Sequence, residues 1–339
     1  MDLVDRKLLN RIQSDFPLVE RPFEELGKSL GISEEEAIGR ITRLKEEKIV
    51  RQVGAIFDTR ALGYQSSLVA MKVDPQRVDE AAEIINRHPG VSHNYKRNHA
   101  FNIWFTIALP PQSSLERTIG RLHELAGAES TRILPTLRLF KIGVDLDMTG
   151  ERDPAATAEP VYHNKKRPKL PELSPLEVQV IRELQEDPPL VSEPFRGMAE
   201  RLNLTVDELL QLAKGFIEQG KMRRFAAVLY HRQAGFKANA MGVWKVPEEQ
   251  VEEVGMKMAS FIAVSHCYQR PTYPDWPYNI FTMIHGHKAA ECQAVIDAIS
   301  ETTGIKEYAI LYSSKEYKKV RVRYFTEELD RWEEEHFRP

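Results

Sequence analysis

Two hexapeptides of this 339-residue chain, SHNYKR at 92–97 and SHCYQR at 265–270, carry the groups best suited to chemistry. Side chains alternate across a strand, so an extended backbone puts His93, Tyr95 and Arg97 on one face, and His266, Tyr268 and Arg270 on one face of the second. Each patch would join two proton-transfer groups to a permanent cation whose planar fork suits a carboxylate. A His and a Tyr capping a core, beside an Arg paired to an acid, would look the same in a single strand. Recurrence in both halves favours function, although duplication by itself also preserves letters.

Further candidates stand nearby. His99 and Asn102 follow the first hexapeptide; Tyr273, Trp276, Tyr278, Asn279 and His285 follow the second, where RPTYPDWPY reads as a stiff, ordered loop. An aromatic loop beside cations suits a flat, conjugated, anionic ligand. Arg138 and Lys141 in the first half, and Lys315 and Lys318 in the second, occupy equivalent places near the last strands, with Lys319, Arg321 and Arg323 beyond. Gathered at a cleft they would bind several carboxylates; on a solvated edge strand they would bind none.

The elements that must position these residues come in two copies. FPLVERPFEELGKSLGISEEE at 16–36 matches PPLVSEPFRGMAERLNLTVDE at 188–208 at an offset of 172, which grows to 177 beyond the second hexapeptide because PTYPDWPYN is longer than NHAFN. The expected division is a winged helix-turn-helix over 1–60, a ferredoxin-like unit over 61–149, a Pro- and charge-rich linker over 150–174, second copies over 175–232 and 233–325, and a tail over 326–339. Within each first unit, apolar spacing predicts three short helices with a tight LGIS turn. Ser33 and Glu36 suggest a capping box on the third helix, and IVRQVGAIFD suggests a wing hairpin. The remainder reads βαββαβ, with TRILPTLRLFKIGVDL as one last strand. The fold class is α+β.

Composition bounds the function. With 42% hydrophobic and 29% charged residues the chain is of soluble globular type, and 47 Lys and Arg against 50 Asp and Glu, net −3, exert no global pull on nucleic acid or membrane. No run is long and apolar enough for a membrane span and the start lacks a signal peptide's apolar core, so a cytoplasmic protein is expected. Cys267 and Cys292 form no metal-binding pattern.

The helix-turn-helix and ferredoxin-like units resemble the Lrp/AsnC transcription regulators, which implies DNA binding. Charge argues against it. A recognition helix meets phosphates with cations, yet its first turn here is Glu34, Glu35 and Glu36, and in the second copy Val206, Asp207, Glu208 and Leu209. Packing or dimerisation is the expected role, and DNA is not an expected partner.

SHNYKRNHAFNIWFT and SHCYQRPTYPDWPYNIFTMIHG, on tandem AsnC-like units, resemble siroheme decarboxylase, as its two subunit types fused in one chain; the resemblance spans nearly all of both repeats. It implies removal of two acetate carboxyls from siroheme, giving didecarboxysiroheme on the way to heme d1 or heme b. The partners implied are siroheme, its products and other tetrapyrrole enzymes, with the two copies forming an internal pseudo-dimer. No redox cofactor is implied, because the macrocycle itself accepts the electrons, and no metal held by protein alone. His93, Tyr95, His99, His266, Tyr268 and His285 become candidates for proton transfer or for ligating the substrate's iron. Arg97, Arg270, Arg138, Lys141, Lys315, Lys318, Trp276, Tyr278 and Asn279 become candidates for holding the substrate. The first copy lacks the PDWPY loop, so the two clefts cannot be chemically equal, and the second is expected to dominate turnover. A tetrapyrrole-responsive regulator is the rival reading.

Overall fold

The chain is described by a computed structural model covering residues 1–142, 153, 155–158, 172–229, 238–286 and 288–337; the expected linker lies mostly outside these. The first copy begins with α1 (Leu3–Ser14), α2 (Pro22–Leu30) and α3 (Glu34–Glu46). Apolar residues at helical spacing, Leu8, Leu9, Ile12, Phe23, Leu26, Ile41 and Leu44, are all buried. Gly31 ends α2 at φ 71, a left-handed turn that glycine adopts without steric cost. Ser33 caps α3 through the Glu36 amide, but the return bond of a capping box is missing because Arg40 holds the Glu36 carboxylate at 2.7–2.9 Å. The second copy, with α6 (Pro175–Leu184), α7 (Arg196–Arg201) and α8 (Val206–Glu218), completes the box at Thr205 and Glu208.

Among the described residues the wing hairpin is not formed within a copy. β1 (Val50–Phe57) pairs antiparallel with β7 (Met222–Leu229) of the other copy, so each half supplies one strand of a shared two-stranded sheet. Neither strand buries its apolar face alone. Phe16, Phe23 and Phe57 of the first copy share one core with Phe195, Phe216 and Phe225 of the second. Polar ties cross the same seam: Lys45 to Asp187, the Val53 amide to Asp187 at 3.1 Å, and Ser192 to the buried Glu34, which Arg21 of its own copy also holds.

The remaining strands form one nine-stranded sheet in the order β5-β2-β4-β3-β11-β8-β10-β9-β6. The first half gives β2 (Gln65–Lys72), β3 (Val91–Arg97), β4 (Ile103–Leu109), β5 (Ser130–Pro135) and β6 (Arg138–Ile142); the second gives β8 (Ala238–Trp244), β9 (Val264–Gln269), β10 (Ile280–Gly286) and β11 (Tyr308–Lys319). The expected single last strand of the first half is two strands with different partners. β5 pairs with β2 of its own half, whereas β6 crosses to β9; β11 likewise pairs with β8 through Tyr308–Tyr312 and with β3 from Ser313 onward. Because β5 runs on into β6, the sheet curls and brings its two ends together.

Helices cover the outer face: α4 (Val78–Asn86) and α5 (Leu115–Ala126) on the first half, α9 (Val251–Ser260) and α10 (Ala289–Thr303) on the second. The expected tail contains α11 (Glu327–Phe337), which docks Leu329 and Trp332 into the outer core of the first half. The inner face holds a fourth core, Ala70, Phe101, Trp104, Leu134, Met241, Val243, Trp276, Phe281 and Leu311, drawn from both halves. Among the described residues no helix is long and apolar enough to cross a membrane.

Candidate active site

β3 and β9 each carry their hexapeptide as the alternation predicted. On the helix side, Asn94 donates to the Ala82 carbonyl and to Asn86 of α4, and Cys267 is buried against Gly255 of α9. On the inner face His93 and Tyr95 lie 6.3 Å apart at an interplanar angle of 30°, and His266 and Tyr268 lie 6.0 Å apart at 25°. The Arg97 guanidinium sits 5.7 Å from the Tyr95 ring and that of Arg270 4.9 Å from Tyr268. All four rings are half-buried, neither walled off nor open to bulk water.

Ser92 Oγ lies 3.0 Å from His93 Nδ1 and Ser265 Oγ 2.9 Å from His266 Nδ1, so a hydroxyl orients each imidazole through the same nitrogen. Ser265 is itself fixed by donating to the Met283 carbonyl at 3.1 Å. Burial, aided by the charge of Lys319, lowers the His93 pKa, which keeps the ring neutral more readily at working pH. Burial also pushes the Tyr268 phenol up.

Arg97 Nη1 donates to the Leu311 carbonyl, and Arg270 Nη1 to the Leu134 carbonyl, its counterpart in the other half. Among the described residues no carboxylate pairs with either guanidinium, and both Nε atoms are buried without a partner. Desolvation pulls both down to about 10, aided at Arg270 by the charge of Arg60. A buried cation with an unused donor is a receptor for an anion.

Other expected site residues are elsewhere. Arg138 pairs with Glu252 at 3.0 Å and Lys315 with Asp79 at 3.1 Å, on the helix side of the sheet. Lys141 donates to the Phe261 carbonyl at the end of α9, and Lys318 to the Asn86 and His88 carbonyls at the end of α4. Both are helix C-terminal caps, turned outward because a β-bulge at the same place in β6 and β11 leaves two successive residues on that side. Asn279 is a backbone clamp, accepting from the Val246 amide and donating to its carbonyl at 2.9 and 2.8 Å; Asn102 does the same for Val73. Trp276 is fully buried in the inner core, with Tyr278 packed at 5.1 Å from it.

The loop bearing Trp276 does belong to an ordered structure, yet it docks on the opposite half. Asp275 is gripped by Arg132 at 2.7 and 2.5 Å, Tyr273 donates to the Ile133 carbonyl at 2.7 Å, and His99 meets Trp276 edge-on at 5.3 Å. His99 thus stands against this loop, its Nδ1 accepting from the Phe101 amide at 3.0 Å, while burial lowers its pKa. His285 lies in β10 opposite Asn239; its side chain is outside the described residues.

Residues that sequence reasoning did not assign are cations of the shared two-stranded sheet and its flanks. The charge of Arg51 on β1 acts on His93, and those of Arg60 and Arg223 act on Tyr268. Their equivalence as repeat partners, Arg51 with Arg223, was the available signal. What was missing was the pairing of β1 with β7, which carries them over the inner face.

This geometry defines a duplicated AsnC-like chain that retains its helix-turn-helix units and places proton-transfer groups, with the Arg97 and Arg270 guanidiniums that no carboxylate pairs, on the inner face of a common sheet. Comparison with known proteins agrees. An AsnC-like ligand binding domain family matches residues 61–141 and 233–318, and a siroheme decarboxylase NirDL-like HTH domain family matches 5–51 and 177–223. A siroheme decarboxylase of Hydrogenobacter thermophilus is 43% identical over 96% of both chains. A crystal structure of the siroheme decarboxylase NirDL in complex with an iron-uroporphyrin III analogue superposes with TM-score 0.78 at 39% identity, covering 98% of each chain. The siroheme decarboxylase beta subunit of Methanosarcina barkeri is 46% identical over 43% of this chain and 97% of its own. The chain belongs to the siroheme decarboxylase family, in its fused two-subunit form.

Proposed function

We propose that this chain is a carboxy-lyase that removes two acetate carboxyls from siroheme to give didecarboxysiroheme, as a step toward heme d1 or heme b, without a redox cofactor and in the cytoplasm. The observation that carries the reading is the pair of buried guanidiniums, Arg97 and Arg270, each with an unpartnered Nε beside a His–Tyr pair. A polycarboxylate supplies the anions that these cations lack.

The chemistry asks little of the protein beyond placement. The bond from the acetate carboxyl carbon to the adjacent carbon breaks, CO2 leaves, and the electron pair is delocalised into the macrocycle. One proton then converts the new carbon to a methyl group, so one carboxylate and one proton give one methyl and one CO2 with no net redox change. Arg97 and Arg270 anchor spectator carboxylates. His93 and His266, oriented by Ser92 and Ser265, deliver the proton with Tyr95 and Tyr268 beside them, or ligate the substrate's iron.

The regulator reading is disfavoured by where the cations of α3 are spent. Arg40 is bound to Asp2, Asp5 and Glu36, and Arg43 to Asp5, so these side chains face carboxylates of their own copy. Anaerobic incubation of the purified protein with siroheme, followed by mass analysis, tests the proposal. Two successive losses of the mass of CO2 are expected; no loss, together with retarded migration of promoter DNA at physiological salt, would favour the regulator.

A further inference from the structure

The duplicated strands carry the same His-Tyr-Arg face, but the strands beside them do not match. β6 places Leu139 opposite Tyr268 and Ile142 opposite His266. At the equivalent positions β11 places Glu316 opposite Tyr95 and Lys319 opposite His93. Directly opposed residues of an antiparallel pair project to the same side. The bulge in each strand sends Phe140 and Lys141, or Tyr317 and Lys318, to the helix side, so the residues that the adjacent strand sets beside the imidazole and phenol are aliphatic in one half and ionic in the other, while cations from outside these strand pairs act on both, Arg60 and Arg223 on Tyr268 and Arg51 on His93.

Two observations show that this difference reaches the chemistry. The strand register sets Lys319 and Glu316 on the imidazole's side, and their charges act on His93, Lys319 lowering its pKa and Glu316 raising it. In the other half Ile142 is 45% exposed and Leu137, just before β6, 59% exposed. An aliphatic surface left uncovered beside a proton donor and a buried cation is what a macrocycle would cover.

We infer that the two inner faces divide the work, resting on the decarboxylase reading: the carboxyl is lost over β9 and β6, beside Leu139 and Ile142, and the face of β3 and β11, bearing Glu316 and Lys319, holds the charged arms of the tetrapyrrole. Loss of CO2 turns an anion into a neutral molecule and spreads the remaining charge over the ring. A fixed cation beside the scissile carboxylate stabilises the reactant more than that transition state; an aliphatic wall does the reverse. Lys319 therefore suits binding and Ile142 suits reaction. Proton delivery to the nascent carbon then falls to His266, with water restoring its proton between turnovers.

The test exchanges the pairs in the full-length protein. Leu139→Glu with Ile142→Lys is expected to lower kcat for CO2 release from siroheme by about 100-fold, on the scale of one lost electrostatic or acid–base contribution. Binding of iron uroporphyrin, followed by its absorption spectrum, should weaken by a much smaller factor than kcat falls. Leu139→Thr with Ile142→Thr, which keeps strand propensity and adds no charge, covers the case in which the charged pair does not fold, and should lower kcat about 10-fold. Glu316→Leu with Lys319→Ile should instead raise KM, with the smaller part of its effect on kcat. Undiminished kcat in both second-half variants, or a kcat loss from the Glu316/Lys319 pair as large as from the Leu139/Ile142 pair, overturns the assignment. If the unaltered protein releases no CO2 from siroheme, the decarboxylase reading has failed, a result separate from either of these.

Discussion

Arg97 crosses the seam between the two halves to donate its Nη1 to the Leu311 carbonyl at 2.8 Å, and Arg270 crosses in the other direction to Leu134. Each cation is thereby held by a neutral acceptor and left without a counter-charge. The arrangement fixes a guanidinium at the seam, beside a His–Tyr pair, while keeping its charge unspent. Because the carbonyl belongs to the other half, a guanidinium held in this way exists only when the two halves share one sheet.

Replacing Arg97 with Met removes both the bond and the unpaired charge. The lost hydrogen bond to Leu311 destabilises by about 1–3 kcal/mol, and relief of the desolvated cation offsets part of it. Urea unfolding should show a loss of no more than about 2 kcal/mol, while affinity for iron uroporphyrin falls about 10- to 100-fold, as expected for one charge-assisted contact. A large stability loss with affinity intact would make Arg97 a structural tie only.

His266→Ala should slow CO2 release by about 10²- to 10⁴-fold, the range for a positioned general acid, with far-UV circular dichroism unchanged. Imidazole added to the medium should restore part of the rate. A variant with unaltered kcat would remove His266 from the reaction.

Asn279→Ala deletes a clamp on both backbone groups of Val246 in a buried site. Two bonds at about 1 kcal/mol each, plus stranded backbone polar groups, predict about 2–4 kcal/mol less stability. KM should stay near its original value, because the side chain is turned into the fold and not toward the substrate.

Trp276→Ala empties the centre of the inner core, where the indole packs on Trp104 at 5.2 Å and Phe101 at 5.8 Å. A loss of about 3–5 kcal/mol is expected in thermal or urea unfolding. A loss below about 1 kcal/mol would mean that the loop is not part of the seam between the halves.

His88 supplies a pH dependence. It is fully buried, its Nε2 lacks a partner, and the Trp332 ring of α11 lies 4.3 Å away. Burial first, then the charges of Lys318 and His336, push its pKa down to about 3. The unfolded chain, with an ordinary imidazole near 6.5, binds a proton that the folded chain refuses, so stability falls as pH drops from about 6.5 toward 3, at up to about 1.4 kcal/mol per pH unit. Above pH 6.5 both states are neutral and the effect vanishes. His88→Phe should flatten this slope in urea unfolding at pH 7.5 and pH 5; an unchanged slope would assign the acid sensitivity to other groups.

Much was determined by local sequence. The repeat offset located both copies, period-2 alternation placed His93, Tyr95 and Arg97 on one face with Asn94 on the other, and helical spacing marked the residues that α1, α2 and α3 bury. These are properties of a few neighbouring residues, set by the pleat and by the helical turn. Partner choice was decided elsewhere. Whether β1 folds back as a wing or pairs with β7, whether the last strand serves its own half or the other, and whether Lys141 and Lys318 reach a ligand or cap helices all depend on contacts between residues far apart in the chain. An amide has the same hydrogen-bonding need whichever strand satisfies it, so the choice falls to the packing of Phe57, Phe140 and Trp276 against surfaces that exist only once the two halves meet.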